Sequence, residues 1–150
     1  MTLSKIRNDD TLVLALGSNL GDRGEYIKRA LSLLEEVFGS PVAVSEIIES
    51  QAVGFIGPDF LNCIAEYRNV RFHPHEVLDI CKKIERQLGR TDTPEYSGDG
   101  SRIYHSRCID IDILFYGNRV IDAPDLKIPH PGVHSRRYLQ DLLSKLMISF

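Results

Sequence analysis

The period of the apolar positions changes along this chain, and each change marks an element. Thr11 to Leu16 is a short apolar run that stops at Gly17-Ser18-Asn19, the pattern of a buried strand entering a tight turn toward a helix. From Glu25 to Phe38 the apolar residues Ile27, Leu31, Leu34 and Phe38 recur at three and four, and Gly39-Ser40-Pro41 ends that helix. Val42 to Ser50 is rich in β-branched residues and reads as one strand. Phe60 to Arg68 alternates, with Leu61, Cys63, Ala65 and Tyr67 on one face and Asn62, Ile64, Glu66 and Arg68 on the other. Pro74 opens a second helix whose stripe is Val77, Cys81, Ile84 and Leu88, with Gly89 at its end. Arg90 to Ser106 is polar and without period, a long loop for a small domain. Cys108 to Tyr116 is a strand, Gly117-Asn118 is a hairpin signal after which Arg119 to Ile121 should pair back, and Asp122 to Ile128 is extended. A last helix is expected from His134 to Leu146, burying Tyr138, Leu142 and Leu146.

This order predicts an α+β protein with a ferredoxin-like βαββαβ core: a mainly antiparallel sheet with helices on one face, plus a C-terminal hairpin and helix. A length of 150 residues suits one domain over 1–150, with residues 1–10 as a flexible N-terminal extension. The 43% hydrophobic and 26% charged fractions are ordinary for a soluble chain, and no apolar run reaches the ~20 residues of a bilayer span. The polar start lacks the features of a signal peptide, so a cytoplasmic location is expected. Three cysteines without a C-x-x-C pair disfavour a disulfide framework or a zinc site, and Cys63 and Cys81 read as small buried side chains. A net charge of −3 argues against a nucleic-acid binder that works by wholesale phosphate neutralisation.

The chemistry concentrates in Cys108-Ile-Asp-Ile-Asp-Ile-Leu-Phe-Tyr116. Residues two apart on a strand share a face, so Asp110 and Asp112 project together about 7 Å apart, opposite Ile109, Ile111, Ile113 and Phe115. A divalent cation relieves their repulsion, and oxygen ligands favour Mg²⁺ over zinc. A solvated strand face explains the same pattern equally well. Leu114 and Tyr116 continue the aspartate face as apolar, and Arg102 and Arg107 flank it, which tilts the balance toward a metal and a phosphate. His130, His134, Arg136 and Arg137 gather at the start of the last helix, either as solvated charge or as a polyphosphate site. Gly17 to Arg23 lacks the lysine and full glycine pattern of a phosphate loop. Phe60 and Asn62 share a face, an aromatic plate beside an amide.

Together the segments A-L-G-S-N-L-G-D (15–22), F-L-N (60–62), I-E-R-Q-L-G-R (84–90), R-C-I-D-I-D-I-L-F-Y-G (107–117) and I-P-H-P-G-V-H-S-R-R-Y (128–138) resemble the 6-hydroxymethyl-7,8-dihydropterin pyrophosphokinase family. The resemblance implies transfer of pyrophosphate from ATP to the pterin's hydroxymethyl group by attack on the β-phosphorus, giving AMP and the pterin diphosphate in folate biosynthesis. It implies two Mg²⁺ ions on Asp110 and Asp112, with Arg90 and Arg107 beside them in catalysis. ATP would meet Glu85, Arg90, Arg107, Ile113, His130 and Arg136. Phe60 and Tyr138 would sandwich the pterin, Asn62 would read its polar edge, and Ser50 to Val53 would complete the pocket. The expected partners are ATP and 6-hydroxymethyl-7,8-dihydropterin, for a monomer without nucleic acid or membrane. Ser50-Gln51-Ala52-Val53-Gly54 departs from the family's usual Thr-Pro-Pro-x-Gly, and the loop over 91–105 departs from its Arg- and Trp-bearing pattern.

Overall fold

The structure, a computed structural model, describes residues 9–51, 58–89, 95–96, 102–103 and 108–150. Its centre is an antiparallel sheet. Strand β1 (Leu12–Ser18) lies between β4 (Phe60–Tyr67) and β7 (Asp110–Tyr116), and β2 (Ala43–Val44) and β3 (Ile48–Ser50) both pair with the far side of β4. Helix α1 (Arg23–Phe38) follows β1 and α2 (Pro74–Gln87) follows β4, which gives the expected βαββαβ core. Strands β5 (Glu95–Tyr96) and β6 (Arg102–Ile103) pair with each other, as do β8 (Ile121–Asp122) and β9 (Lys127–Ile128). A 3₁₀ turn, Pro131–His134, leads to α3 (Arg137–Lys145). No helix among the described residues is long and apolar enough to cross a membrane.

The helices start where the sequence supplies caps. The Asp22 side chain accepts the Glu25 N–H at 3.2 Å, opening α1 two residues earlier than its apolar stripe suggests. At α2, Glu76 accepts the His73 N–H at 3.0 Å, the His73 ring accepts from His75, and Pro74 occupies the first turn, where its missing N–H costs nothing.

Both faces of the sheet are covered. Leu12, Leu14, Leu16, Cys63, Ala65, Tyr67, Ile111 and Ile113 pack under α1 and α2 through Ile27, Leu34, Val77, Cys81 and Ile84. The two core helices thus share one face, as expected, and the additional C-terminal helix does not join them. Leu139, Leu142 and Leu143 of α3 pack on the opposite side, against Val13, Ile64, Leu114 and Phe115. This is why β1 and β4 are apolar on alternate residues and also between them.

Five expectations are corrected. Strand β1 does not stop at Leu16; Gly17 and Ser18 remain in the sheet, paired with Asn62 and Leu61. The single strand expected over 42–50 is two, because Ser45 breaks the ladder: its hydroxyl accepts the Ile64 N–H at 2.8 Å while its own N–H reaches the Ile64 carbonyl at 2.9 Å. A bulge separates Leu14↔Ile113 from Val13↔Phe115, leaving Leu114 as an extra residue. Beyond it the faces exchange, so Phe115 joins the α3 side and Tyr116 the α1/α2 side, the reverse of strict alternation. Finally, Gly117-Asn118 does turn the chain, with the Arg119 N–H on the Tyr116 carbonyl at 3.1 Å, but Arg119 to Ile121 does not pair back. β7 already has β1 on one edge, and its Leu114 carbonyl takes the His130 N–H at 3.0 Å. Ile121-Asp122 pairs with Lys127-Ile128 instead. The expected helix from His134 is also shortened, since Pro131–His134 forms the 3₁₀ turn and α3 proper begins at Arg137.

Candidate active site

The sheet register brings the predicted residues together. Gly17 pairs with Asn62 on one side and with Asp110 on the other, and Ala15 pairs with Ile64 and Asp112. Paired residues point to one face, so Asn62, Gly17 and Asp110 form one row and Ile64, Ala15 and Asp112 the next. Adjacent strands lie about 4.8 Å apart, which puts the backbones at Asn62 and Asp110 about 10 Å apart. Between them the floor is a methyl group and a hydrogen. Gly17 keeps the space there open, because a Cβ at that position would stand 3.3 Å from Asn62 Oδ1 and 3.4 Å from Phe60 Cδ1. Phe60 and Asn62 therefore lean over Gly17 from β4, and Tyr138 stands above the same face on α3, packed against the Val13/Ile64 cluster.

At the other edge of this floor, Asp110 and Asp112 are half-buried. The Ile111 N–H between them donates to Glu85 Oε2 at 2.8 Å. Glu85 is only 4% exposed. Its buried carboxylate reaches from α2 to the strand segment that presents both aspartates and holds that segment in place.

His130 is brought beside Asp112 by the Leu114 carbonyl, which accepts its N–H, and His130 Nε2 lies 4.0 Å from Asp112 Oδ2. The Gly132 N–H donates to His130 Nδ1 at 2.9 Å. Burial, then the Arg136 cation, lowers the pKa of this histidine, against an opposing pull from Asp110. The neutral ring with Nδ1 accepting carries its proton on Nε2, directed toward Asp112. Gly132 allows this arrangement, since a Cβ there would come 3.0 Å from His130 Nδ1 and 3.1 Å from Arg136 Cδ. Burial raises the pKa of the Tyr138 hydroxyl; Arg136, by charge and by a hydrogen bond, pulls it down, and Asp112 and Asp110 push it up. Asp110, Asp112, His130, Arg136 and Tyr138 thus share one electrostatic neighbourhood.

A cavity of about 440 Å³ opens at this edge, lined among others by Ile111, Asp112, Ile113, Lys127, His130, Gly132 and Arg136. Of the two adjacent arginines, Arg136 turns into it, whereas Arg137 is exposed and pairs with Asp141 at 3.5 Å. His134 is exposed and does not line the cavity. Among the described residues no group of three His, Cys, Asp or Glu side chains could hold a metal by themselves. Two carboxylates with room for phosphate oxygens fit Mg²⁺, which is usually held by one or two carboxylates plus substrate phosphates.

Arg90, Arg107 and Val53 lie outside the described residues, as does most of the 91–106 loop; Ser50 is described, at the end of β3. Sequence reasoning missed Gly17 and Ala15 as the floor, and Lys127 in the cavity wall. A signal for the floor was present, since Val13, Ala15 and Gly17 shrink stepwise along one face of β1.

The fold and this two-carboxylate cleft define a class, and the comparisons narrow it. The sequence profile of the 7,8-dihydro-6-hydroxymethylpterin-pyrophosphokinase family matches residues 13–148. The chain belongs to that family, and it is an ATP-dependent diphosphotransferase of folate synthesis. It is 38% identical over 133 residues to the 2-amino-4-hydroxy-6-hydroxymethyldihydropteridine pyrophosphokinase of Porphyromonas gingivalis, covering 87% of this chain and 86% of that one. To the enzyme of the same name from Aquifex aeolicus it is 38% identical over 129 residues, 85% of this chain and 74% of the relative. The folate synthesis bifunctional protein of Arabidopsis thaliana is 38% identical over 132 residues, which are 87% of this chain and 25% of that longer protein.

Proposed function

We propose that the open part of the α3 face binds ATP and 6-hydroxymethyl-7,8-dihydropterin side by side and transfers the β,γ-pyrophosphoryl group to the hydroxymethyl oxygen, releasing AMP. The observation that carries this reading is the row Asn62–Gly17–Asp110: an amide and an aromatic plate at one end, two carboxylates at the other, and a flat floor of small residues between them.

A planar bicyclic ring fits that floor. Phe60 below and Tyr138 above would stack on it, Asn62 would hydrogen-bond its polar edge, and the backbone at Ser50 and Val53 would close its far side. The hydroxymethyl group then extends toward Asp110 and Asp112. These two residues would hold two Mg²⁺ ions. When bound, such ions lower the pKa of an alcohol and neutralise phosphate charge.

The triphosphate would lie along the cavity at the edge of β7, past Ile113 and His130. His130 keeps its proton on Nε2 and offers it to a phosphate oxygen, and Arg136 adds a positive charge at the same place. Arg90 and Arg107 would make the further phosphate contacts. Glu85 acts through the backbone, fixing Ile111 and so the spacing of the two aspartates. No side chain on the floor is a strong base near neutral pH, so positioning and charge neutralisation account for the rate. The protein would work as a cytoplasmic monomer without nucleic acid, in keeping with its net charge of −3.

The test is incubation of the purified protein with ATP, Mg²⁺ and 6-hydroxymethyl-7,8-dihydropterin, with AMP and the pterin product separated and weighed by mass spectrometry. Equimolar AMP and pterin diphosphate are expected, and omission of Mg²⁺ should abolish both. Release of ADP instead of AMP, or no turnover, would overturn the reading.

A further inference from the structure

Phe60 is the end rung of β4. Its ladder partner is Ser50 of β3, whereas the pairing of β4 with β1 ends one residue earlier, at Ser18↔Leu61. A strand end paired along one edge frays unless something else ties it. The turn from β1 into α1 supplies the tie. The Asn19 side chain, 1% exposed, donates from Nδ2 to the Pro58 carbonyl at 3.0 Å. Arg23, the first residue of α1, donates from Nη1 to the Asp59 carbonyl at 2.8 Å, and its Nη2 stands 3.7 Å from Glu49 Oε1 of β3.

Asn19 and Arg23 thus take the two consecutive carbonyls that lead into Phe60, and they do so from a fixed anchor. Asp22 caps α1, and Ile27, Ala30 and Leu34 bury the helix against the sheet. A cation in the first turn faces the positive end of the helix dipole, so Arg23 is not stabilised by its own helix. Its favourable contacts lie across the chain, where a charged donor makes a stronger hydrogen bond than a neutral one. The planar guanidinium reaches both segments that flank the connection between β3 and β4. The Glu49 contact is long and exposed and contributes little, which leaves the bond to Asp59 as the effective one. The residue it steadies is Phe60, whose ring lies over Gly17 with Cδ1 3.4 Å from where a Cβ would stand.

We propose that Arg23 is a positioning residue for the aromatic plate of the cleft: by holding the Asp59 carbonyl it keeps the Phe60 ring over Gly17 before any ligand arrives. This rests on reading the cleft as the dihydropterin site. A ligand that stacks on a ring already in place does not have to order it, because the freedom of that side chain is lost in folding and not in binding. Arg23 acts only through the main chain at Asp59, so its effect belongs to the dihydropterin end of the cleft, and the nucleotide, on the β7 side, should not sense it.

The experiment has two arms. The chain contains no tryptophan, so Phe60→Trp puts a single indole at the plate. Its fluorescence anisotropy decay is followed in ligand-free protein, with Arg23 intact and with Arg23→Met, which keeps an unbranched stem and removes the donors. With Arg23 the indole should follow the tumbling of the whole protein, and Arg23→Met should add a fast component of local motion, with melting temperature little changed. In the second arm, on the Phe60 protein saturated with Mg²⁺ and a non-hydrolysable ATP analogue, 6-hydroxymethyl-7,8-dihydropterin is titrated calorimetrically. Arg23→Met should bind it about tenfold more weakly and bind the nucleotide analogue as wild type does, and Glu49→Gln should match wild type in both arms. An unchanged decay in Arg23→Met, equal dihydropterin affinity in the two proteins, or the full loss reproduced by Glu49→Gln would each overturn the assignment to the Arg23–Asp59 bond. If wild type takes up no dihydropterin, the reading of the cleft fails and the role in binding with it, while the anisotropy arm still decides whether Arg23 orders the ring.

Discussion

One face of the sheet is divided into two regions built from the same three strands. Toward one end Val13, Ile64 and Phe115 are large, apolar and sealed by Leu139, Leu142 and Leu143. Toward the other end the same strands offer Ala15 and Gly17, Asn62, and Asp110 and Asp112. On β1 and β4 no change of backbone path separates the halves, since their pairing is continuous from Leu12↔Tyr67 to Ser18↔Leu61, whereas on β7 the bulge at Leu114 lies between them. What differs is side-chain volume and polarity. The closed half contributes stability through buried area, and the open half has given up that contribution in exchange for room and charge. A site laid on a rigid sheet in this way keeps its groups at fixed spacing.

If the division is real, variants in the two halves should fail differently. The largest effect is expected at the carboxylates: Asp110→Ala or Asp112→Ala should lower AMP release on the order of 10³-fold or more, with far-UV dichroism and melting temperature little changed. Leu142 is fully buried in the closed half, and Leu142→Ala should cost about 2–5 kcal/mol in denaturant melts while the molecules that remain folded turn over normally. Glu85→Ala crosses the division. It leaves the buried Ile111 N–H without its acceptor, so a loss of about 1–3 kcal/mol in stability should come with reduced turnover, because the aspartates lose their support. Gly17→Ala should leave stability nearly unchanged yet weaken dihydropterin binding about tenfold, since the new methyl presses on Asn62 and Phe60 with only a few tenths of an ångström to yield. The smallest effect concerns the thiols. Cys63, Cys81 and Cys108 are all buried and free, and burial pushes the Cys63 thiol up to about 12. Native protein at neutral pH should react with iodoacetamide only as fast as it unfolds, which mass spectrometry of timed samples can check.

The sequence made some of this legible and concealed the rest for physical reasons. The alternation of Asp110 and Asp112 with buried isoleucines declares a strand with a polar face, and the stripe on α2 declares its buried side; both stand. Phe60 and Asn62 do share a face. Alternation fails at Leu114 because a bulge inserts one residue, and a period-two pattern carries no mark of where pairing slips. The turn at Gly117-Asn118 forms as its residues demand, but a hairpin also needs a free strand edge, and that depends on the distant residues Leu12 and His130. The floor of the cleft went unread because Gly17 looks like the end of a strand; its role shows only when β4 and β7 are placed on either side of it. The hydrogen bond from the Asn62 amide to Ser50 was equally hidden, since β3 neighbours Asn62 only through the ladder.

The central claim is that the two aspartates of the open half bind the metal–nucleotide complex. Calorimetric titration of a non-hydrolysable ATP analogue, with and without Mg²⁺, into wild type and Asp112→Ala tests it directly. Wild type should bind the analogue much more tightly when Mg²⁺ is present, and Asp112→Ala should lose that difference while staying folded. Equal Mg²⁺-dependent affinity in the two proteins would contradict the claim.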